Sequence, residues 1–215
     1  MLVSRATVKT TRRYDSSGRQ RAADARRRTV LDAAGRRFLR DGYAVTTVAS
    51  IAGEAGVSVE TLYKAFGGKP GLVRALWDTG LAGEGPVHAE IRSDKVSAAE
   101  TDPRAIIANW ARLSTEVAPR VVPVLLLVRT AAATDADMAL LRDELDAERL
   151  SRMAHNADAL ARGGHLRDGI TPDQARDVLF TYTTPEIYEL LVLRQGWSLA
   201  DFARFIRQGI AAALL

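Results

Sequence analysis

The 215-residue chain contains no cysteine, which excludes a disulfide framework and thiolate metal sites. Aromatic residues make up only 6% of the sequence, and no long alternation of β-branched and polar residues occurs in it. Aliphatic residues are plentiful, and a chain of this length buries enough of them to form a substantial core. This composition favours an all-α protein.

Long apolar runs and targeting signals are missing as well. The longest apolar run, residues 121–128, is interrupted by Pro123 and falls far short of the roughly 20 residues that cross a bilayer. The first 21 residues are rich in arginine and contain no continuous apolar segment of the kind found in secretory signals. We therefore expect a soluble, cytoplasmic protein with no membrane partner.

Charge is distributed unevenly along the chain. Residues 1–25 hold six basic and two acidic side chains, and residues 26–80 hold nine and five. Residues 81–215 hold 15 basic and 19 acidic side chains, so the net charge changes sign. This asymmetry is expected when only one end of a protein meets a polyanion such as DNA.

Two short helices around a tight turn are predicted over residues 46–66. Thr47 and Ser58 are the predicted N-caps, and Gly56 suits the end of the first helix because glycine readily adopts a positive φ. With Leu62 on the inner side, the second helix presents an outward face of Val59, Glu60, Tyr63 and Lys64. A valine and a tyrosine on an exposed face are explained if that face enters a groove of DNA. The pattern is typical of a helix-turn-helix, whose second helix lies in the major groove.

Residues 30–77 resemble the DNA-binding domain of the TetR (tetracycline repressor) family of bacterial transcription regulators. The resemblance is carried by the segments FLRDGYAVTTVASIA, EAGVSVETLYKAF and GGKPGLVRALW. It implies a three-helix domain joined by a connecting helix to a C-terminal helical bundle, about nine helices in all. Lys69 matches a lysine that contacts a DNA phosphate in the family. An ammonium group beside a helix N-terminus also adds to an anion-binding site.

The predicted DNA-binding residues divide by role. Lys64 and Lys69 are expected to anchor phosphates, and Tyr63 to donate its hydroxyl to another. Val59 is expected to meet a thymine methyl group, and Glu60 to accept a hydrogen bond from cytosine. Because Glu60 faces a polyanion, we expect the second helix to discriminate between sequences more than it attracts DNA. The full predicted set is Thr47, Ser58, Val59, Glu60, Thr61, Tyr63, Lys64 and Lys69.

Three regions are predicted. Residues 1–25 form a disordered basic arm, which is either a solvated tail or a DNA-binding arm that uses Arg12, Arg13, Arg19 and Arg21. Residues 26–80 form the helix-turn-helix domain with its connecting helix, and residues 81–215 form the C-terminal ligand-binding and dimerisation domain. Within these regions, a first helix is expected over residues 24–41, and Pro119 is expected to open a new helix.

A second copy of the chain is the expected protein partner. The last two helical segments are rich in aliphatic residues and end in GIAAALL, more apolar than a free surface helix requires. The family resemblance implies that these segments dock as a four-helix interface. A two-fold axis would then place two recognition helices on a pseudo-palindromic DNA operator.

Catalytic constellations are not apparent. His88, His155 and His165 are not spaced for a shared metal site, and no phosphate loop or nucleophile elbow is present. Acidic residues between positions 135 and 148 are interleaved with arginines, as on an exposed helix face. We therefore expect neither enzymatic activity nor a cofactor.

A small-molecule effector is implied by the resemblance, because family members commonly bind an inducer in the C-terminal bundle. Trp110 and Tyr182 are the predicted ligand contacts, since each joins a large apolar body to a polar tip. Ordinary core or dimer packing is the alternative role for both of them. It is equally the alternative for four further candidates: Met138, Met153, Tyr188 and Trp197.

Two functions remain open from the sequence. The first is a transcriptional repressor whose operator binding is relieved by a ligand. The second is a helical dimer that binds DNA constitutively, in an architectural or activating role, and a C-terminal core without a cavity would favour it. An enzyme built on a helical bundle would need a polar cleft with clustered titratable groups, which the sequence does not indicate.

Overall fold

The computed structural model describes residues 17–82 and 87–215, and these residues form helices joined by turns and loops, without strands. The all-α prediction is confirmed. The described part holds ten α-helices and one π-helical segment: α1 (Ser17–Asp41), α2 (Val48–Ala55), α3 (Val59–Phe66), α4 (Lys69–Ala82), α5 (Ala89–Ala98), α6 (Pro103–Ala131), α7 (Ala136–Arg162), α8 (Pro172–Tyr182), α9 (Pro185–Tyr188), the π segment (Glu189–Arg194) and α10 (Leu199–Leu214).

Helices α1 to α4 pack around an apolar core near the N-terminus. Phe38, Ile51, Leu62 and Leu72 are at most 1% exposed there. Isolated helices as short as α2 and α3 are unstable in water, so this packing holds them in place. Gly71 fixes the junction between α3 and α4. A Cβ atom at that position would lie 1.7 Å from the carbonyl oxygen of α3's last residue, so only glycine allows this approach.

The C-terminal bundle is built on the long helices α6 and α7, against which α4, α8 and α10 pack. Its core consists of fully buried aliphatic side chains, among them Ile107, Leu145, Leu160, Leu179, Ile206 and Leu214. Helix α4 crosses α6 closely at Gly80, where a Cβ atom would lie 2.9 Å from Val121 Cγ1. The connecting helix is therefore packed into both parts of the protein.

The start of α1 corrects the predicted extent of the disordered arm. The helix begins at Ser17 and not near residue 24, so residues 17–25 are helical. These residues are mostly Arg, Gln and Ala, which favour helix, and extending an existing helix is far easier than nucleating one. Arg12 and Arg13 belong to residues 1–16, which lie outside the described part of the chain.

The middle of the chain also differs from the prediction. Helix α6 continues through Pro119 and Pro123 and does not restart at Pro119. A proline inside a helix costs about 3 kcal/mol, which the burial of twelve of the 29 residues of α6 offsets. The sequence pattern does not predict α5. Its buried residues are Ala89 and Ser93, and two small side chains, one of them polar, do not produce a recognisable apolar stripe.

Candidate nucleic-acid interface and internal cavity

Helices α2 and α3 form the helix-turn-helix, and their predicted caps are confirmed. The Ser50 amide donates to Thr47 Oγ1 and the Thr61 amide donates to Ser58 Oγ, both at 3.1 Å. Gly56 ends α2 with a φ of 66°. The two hydroxyls satisfy amides that would otherwise lack a partner at a helix N-terminus. Thr47 and Ser58 thus have a structural role as caps, and their contact with DNA stays a prediction.

The outward face of α3 carries the other predicted contacts on this helix. Val59 is 40% exposed and Tyr63 is 54% exposed, although both have large apolar surfaces. Glu60, Thr61 and Lys64 are exposed on the same helix. Leu62, on the opposite side, is 1% exposed and anchors α3 in the domain core. The helix is therefore fixed on one side and open on the other, which is the arrangement that groove entry requires.

Lys69 occupies a different environment from the α3 residues. Its half-buried ammonium donates to the Tyr43 carbonyl oxygen at 2.7 Å and lies 4.0 Å from the centroid of the Tyr43 ring. Burial, with the charges of Asp135 and Asp137 adding to it, raises the pKa of Tyr43 to about 12. The phenol beneath the cation is therefore neutral near pH 7. Because an ammonium has three donors, the bond to Tyr43 is compatible with the predicted phosphate contact, which stays untested.

A basic, fully exposed stretch of α1 lies next to the end of α3. All twelve residues from 18 to 29 are exposed, and they hold one aspartate, Asp24. The guanidinium carbon of Arg27 lies 4.6 Å from the ring centroid of Phe66, the last residue of α3. This contact places the positive charge at the edge of the helix-turn-helix. The arginines of the stretch are Arg19, Arg21, Arg26, Arg27 and Arg28.

A cavity of about 730 Å³ lies in the C-terminal bundle, with walls from α4 through α10. Its volume is within the range of small-molecule sites. Trp110 and Tyr182, the predicted ligand contacts, both line it, as do Met153 and Tyr188. The structure thus brings together residues that the sequence could only nominate separately, while their contact with a ligand stays a prediction.

Two of the further candidates lie elsewhere. Met138 is fully buried in the core of the bundle. Trp197 packs edge-on against Phe205, with ring centroids 6.0 Å apart, outside the residues that line the cavity. Core packing, which was the alternative role, explains Met138.

The connecting helix contributes cavity residues that sequence reasoning did not assign. Trp77 and Leu81 of α4 line the cavity, and Glu148 of α7 lines it as well. Arg74 of α4 donates to Glu148 Oε1 at 2.6 Å, across a separation of 74 residues. No local sequence pattern indicates a contact over that distance.

Two arginines in the cavity wall are ion-paired. Arg149 binds Asp146 at 2.8 Å, and its side chain is 9% exposed, so that burial lowers its pKa. Arg152 donates to both carboxylate oxygens of Asp94, at 2.9 and 2.5 Å. This hydrogen bonding holds the pKa of Asp94 below its usual range. The positive charges of the wall are therefore neutralised by the protein itself.

Within residues 17–82 and 87–215, no group of three or more His, Asp or Glu side chains is arranged to hold a metal ion. No helix in these ranges is both long and apolar enough to cross a membrane.

Comparison with known proteins agrees with the resemblance of the N-terminal domain. Residues 30–76 match the model of the bacterial regulatory proteins of the tetR family. A sequence search among curated proteins gave no match.

Solved structures share the fold over most of its length. A TetR-family transcriptional regulator from Rhodococcus sp. is 18% identical with a TM-score of 0.68, covering 89% of this chain and 100% of that one. SmeT in complex with triclosan is 19% identical with a TM-score of 0.65, covering 89% and 92%. A transcriptional regulator from Saccharomonospora viridis in complex with choline is 20% identical with a TM-score of 0.66, covering 89% and 98%. The N-terminal part of the chain thus matches the tetR family model, and the chain shares its fold with solved TetR-family regulators.

Proposed function

We propose that this protein is a homodimeric transcriptional repressor whose operator binding is relieved by a small molecule in the C-terminal cavity. The observation that carries the proposal is that α4 contacts both the helix-turn-helix and the cavity. Its first turn packs against the recognition helix through Gly71, and its second half lines the cavity through Trp77 and Leu81. A ligand in the cavity would therefore touch the same helix that positions α3.

DNA binding is supported by the open face of α3 and by the charge around it. Lys64 and the basic stretch of α1 supply cations for phosphates, which set affinity without reading sequence. Val59 and Glu60 would supply contacts to base edges in the major groove. In this division, the cations supply the affinity for the DNA backbone, and the base contacts of α3 discriminate between DNA sequences.

Coupling between the two sites would pass through the ion pair of Arg74 and Glu148. Glu148 lies in the cavity wall, so a ligand that shifts α7 there would change the geometry of the link between α4 and α7. The result would be a shift in the population of DNA-binding geometries and not direct competition for the operator. The structures of SmeT with triclosan and the S. viridis regulator with choline show that proteins of this fold accept small molecules.

Dimerisation is supported by apolar side chains that stay exposed near the C-terminus. Leu190, Leu193, Trp197 and Leu199 are between 38% and 53% exposed, and a second copy docked on this region would cover them. A two-fold axis through this region would set the two α3 helices about 34–36 Å apart, one turn of DNA. The dimer would act in the cytoplasm on a pseudo-palindromic operator.

Selection of bound sequences from random duplex DNA tests the proposal. We expect an enriched palindrome with half-sites one helical turn apart, because the symmetry of the site mirrors that of the dimer. Enrichment of a single, asymmetric half-site would contradict the dimeric mode. A candidate ligand that binds the free protein and the operator complex equally tightly would contradict the release mechanism, since such a ligand shifts no equilibrium.

A constitutive DNA-binding dimer without an inducer is the alternative. It needs no cavity, and the space of about 730 Å³ in the bundle favours the ligand-responsive function.

A further inference from the structure

We infer that the cavity binds an uncharged, mainly apolar molecule whose oxygen atom accepts hydrogen bonds from Asn156 and Tyr188. This inference rests on the proposed role of the cavity as the effector site, and it adds the chemical class of the ligand. Five aromatic residues give the cavity wall its apolar character: Trp77, Trp110, Tyr182, Tyr188 and Phe202.

Asn156 is the first polar group that the wall leaves unused. It lies on α7, is 6% exposed and lines the cavity. Its carboxamide makes no hydrogen bond to any other residue of the described ranges. Polar groups in folded proteins generally have a hydrogen-bond partner, and this amide can be reached from the cavity that it lines. A ligand in the cavity gives this side chain its missing partner.

Tyr188 is the second unused group. It is 4% exposed, and its ring packs edge-on against Phe202 with centroids 5.3 Å apart. This packing fixes the ring, while the hydroxyl has no hydrogen-bond partner within residues 17–82 and 87–215. Burial raises the pKa of the phenol, so the group stays protonated and able to donate. Asn156 and Tyr188 come from different helices and line one cavity.

Asn156 and Tyr188 can both act as hydrogen-bond donors toward the cavity, through the amide NH₂ and the phenolic hydroxyl. An acceptor on the ligand, such as a carbonyl or ether oxygen, would therefore satisfy both groups.

A charged ligand group is disfavoured because the buried charges of the wall are already paired. The two guanidinium groups with little exposure, those of Arg149 and Arg152, are held by Asp146 and Asp94, and the more exposed Glu148 is held by Arg74. An anion or cation brought beside them would stay unpaired or would break a pair, and either outcome carries a large desolvation cost. Glu90 is half-buried and His155 is exposed, so a charge near them stays in contact with water.

Four matched probes test the inference on the full-length protein at pH 7. They are butyl phenyl ketone, butylbenzene without oxygen, 4-butylbenzoate as the anion and 4-butylbenzylammonium as the cation. Binding is measured by calorimetric titration and by the shift in melting temperature. We expect the ketone to bind tightest, and both ions to bind at least about tenfold more weakly, a difference of about 1.4 kcal/mol.

Asn156→Leu and Tyr188→Phe identify the contacts. Each is expected to weaken ketone binding about fivefold while changing butylbenzene binding less than about twofold. The hydrocarbon thus serves as a control for folding and cavity shape within each variant. Ketone affinity that is unchanged in both variants would overturn the assigned contacts.

The remaining outcomes separate this inference from the proposed function. Equal or tighter binding of either ion, or no binding of any probe, would overturn the inference and leave operator binding untouched. The operator affinity is measured in parallel with saturating ketone. Selective ketone binding with an unchanged operator affinity would support the inference about the cavity and would contradict ligand-relieved repression.

Discussion

Lys64→Ala offers a quantitative test of the exposed face of α3. The substitution removes one cation from each α3 helix, and therefore two from the proposed dimer. Each protein–phosphate contact contributes about 0.9 to the slope of log affinity against log salt concentration. If each Lys64 contacts one phosphate, the magnitude of this slope should be smaller by about 1.8 in the variant. The ratio of wild-type to variant affinity should then decrease about 12-fold when the salt concentration is raised from 50 to 200 mM.

The assay is fluorescence anisotropy on the selected operator at four salt concentrations. Lys95→Ala is the matched control, because Lys95 is an exposed lysine on α5, in the C-terminal part of the chain. Its slope should equal that of wild type. An unchanged slope in Lys64→Ala, or an equal decrease in Lys95→Ala, would refute the assignment of Lys64 to a phosphate.

Four further predictions concern the DNA interface, the packing and the charges. Val59→Ala should weaken operator binding by a factor that depends on the base at one operator position. An equal loss of affinity on every member of a panel of operator variants would show that Val59 does not contact a base. Lys69→Ala should lower the free energy of unfolding, measured in urea, by about 1–2 kcal/mol, because it loses the charged hydrogen bond and the ring contact. Lys64→Ala should leave the free energy of unfolding unchanged. Equal free energies of unfolding for the two variants would contradict the structural role of Lys69. Gly53→Ala should stabilise the fold by about 0.5–1 kcal/mol, because nothing lies within 4 Å of the added Cβ atom. Gly80→Ala should lower the free energy of unfolding by about 1–3 kcal/mol through overpacking, because its Cβ atom would lie 2.9 Å from Val121. A stabilising Gly80→Ala would mean that α4 and α6 can move apart without cost. Asp94→Asn should lower the melting temperature at pH 7 through loss of the Arg152 pair. Because the folded pKa of Asp94 lies below its ordinary 3.8, the difference from wild type should shrink only as the pH falls below about 4. A difference that does not shrink at all below pH 4 would exclude the ion pair as its cause.

Local features of the helix-turn-helix were determined by the sequence alone. The caps at Thr47 and Ser58 and the turn at Gly56 depend on bonds between residues at most four apart. The exposed face of α3 follows from helical spacing once Leu62 is assigned to the core. Because these interactions are short in sequence, composition and periodicity suffice to predict them, and the all-α fold follows in the same way.

Tertiary structure decided the rest, because the decisive contacts join residues that are far apart in the chain. The bond from Lys69 to the carbonyl of Tyr43 spans 26 residues, and that from Arg74 to Glu148 spans 74. Glycine is a poor helix former, yet in α4 Gly71 and Gly80 lie where the helix approaches α3 and α6 too closely for an added Cβ atom. The cavity likewise exists only where helices from separate parts of the chain fail to fill the space between them. Periodicity shows which side of a helix is buried, but it carries no information about what that side meets.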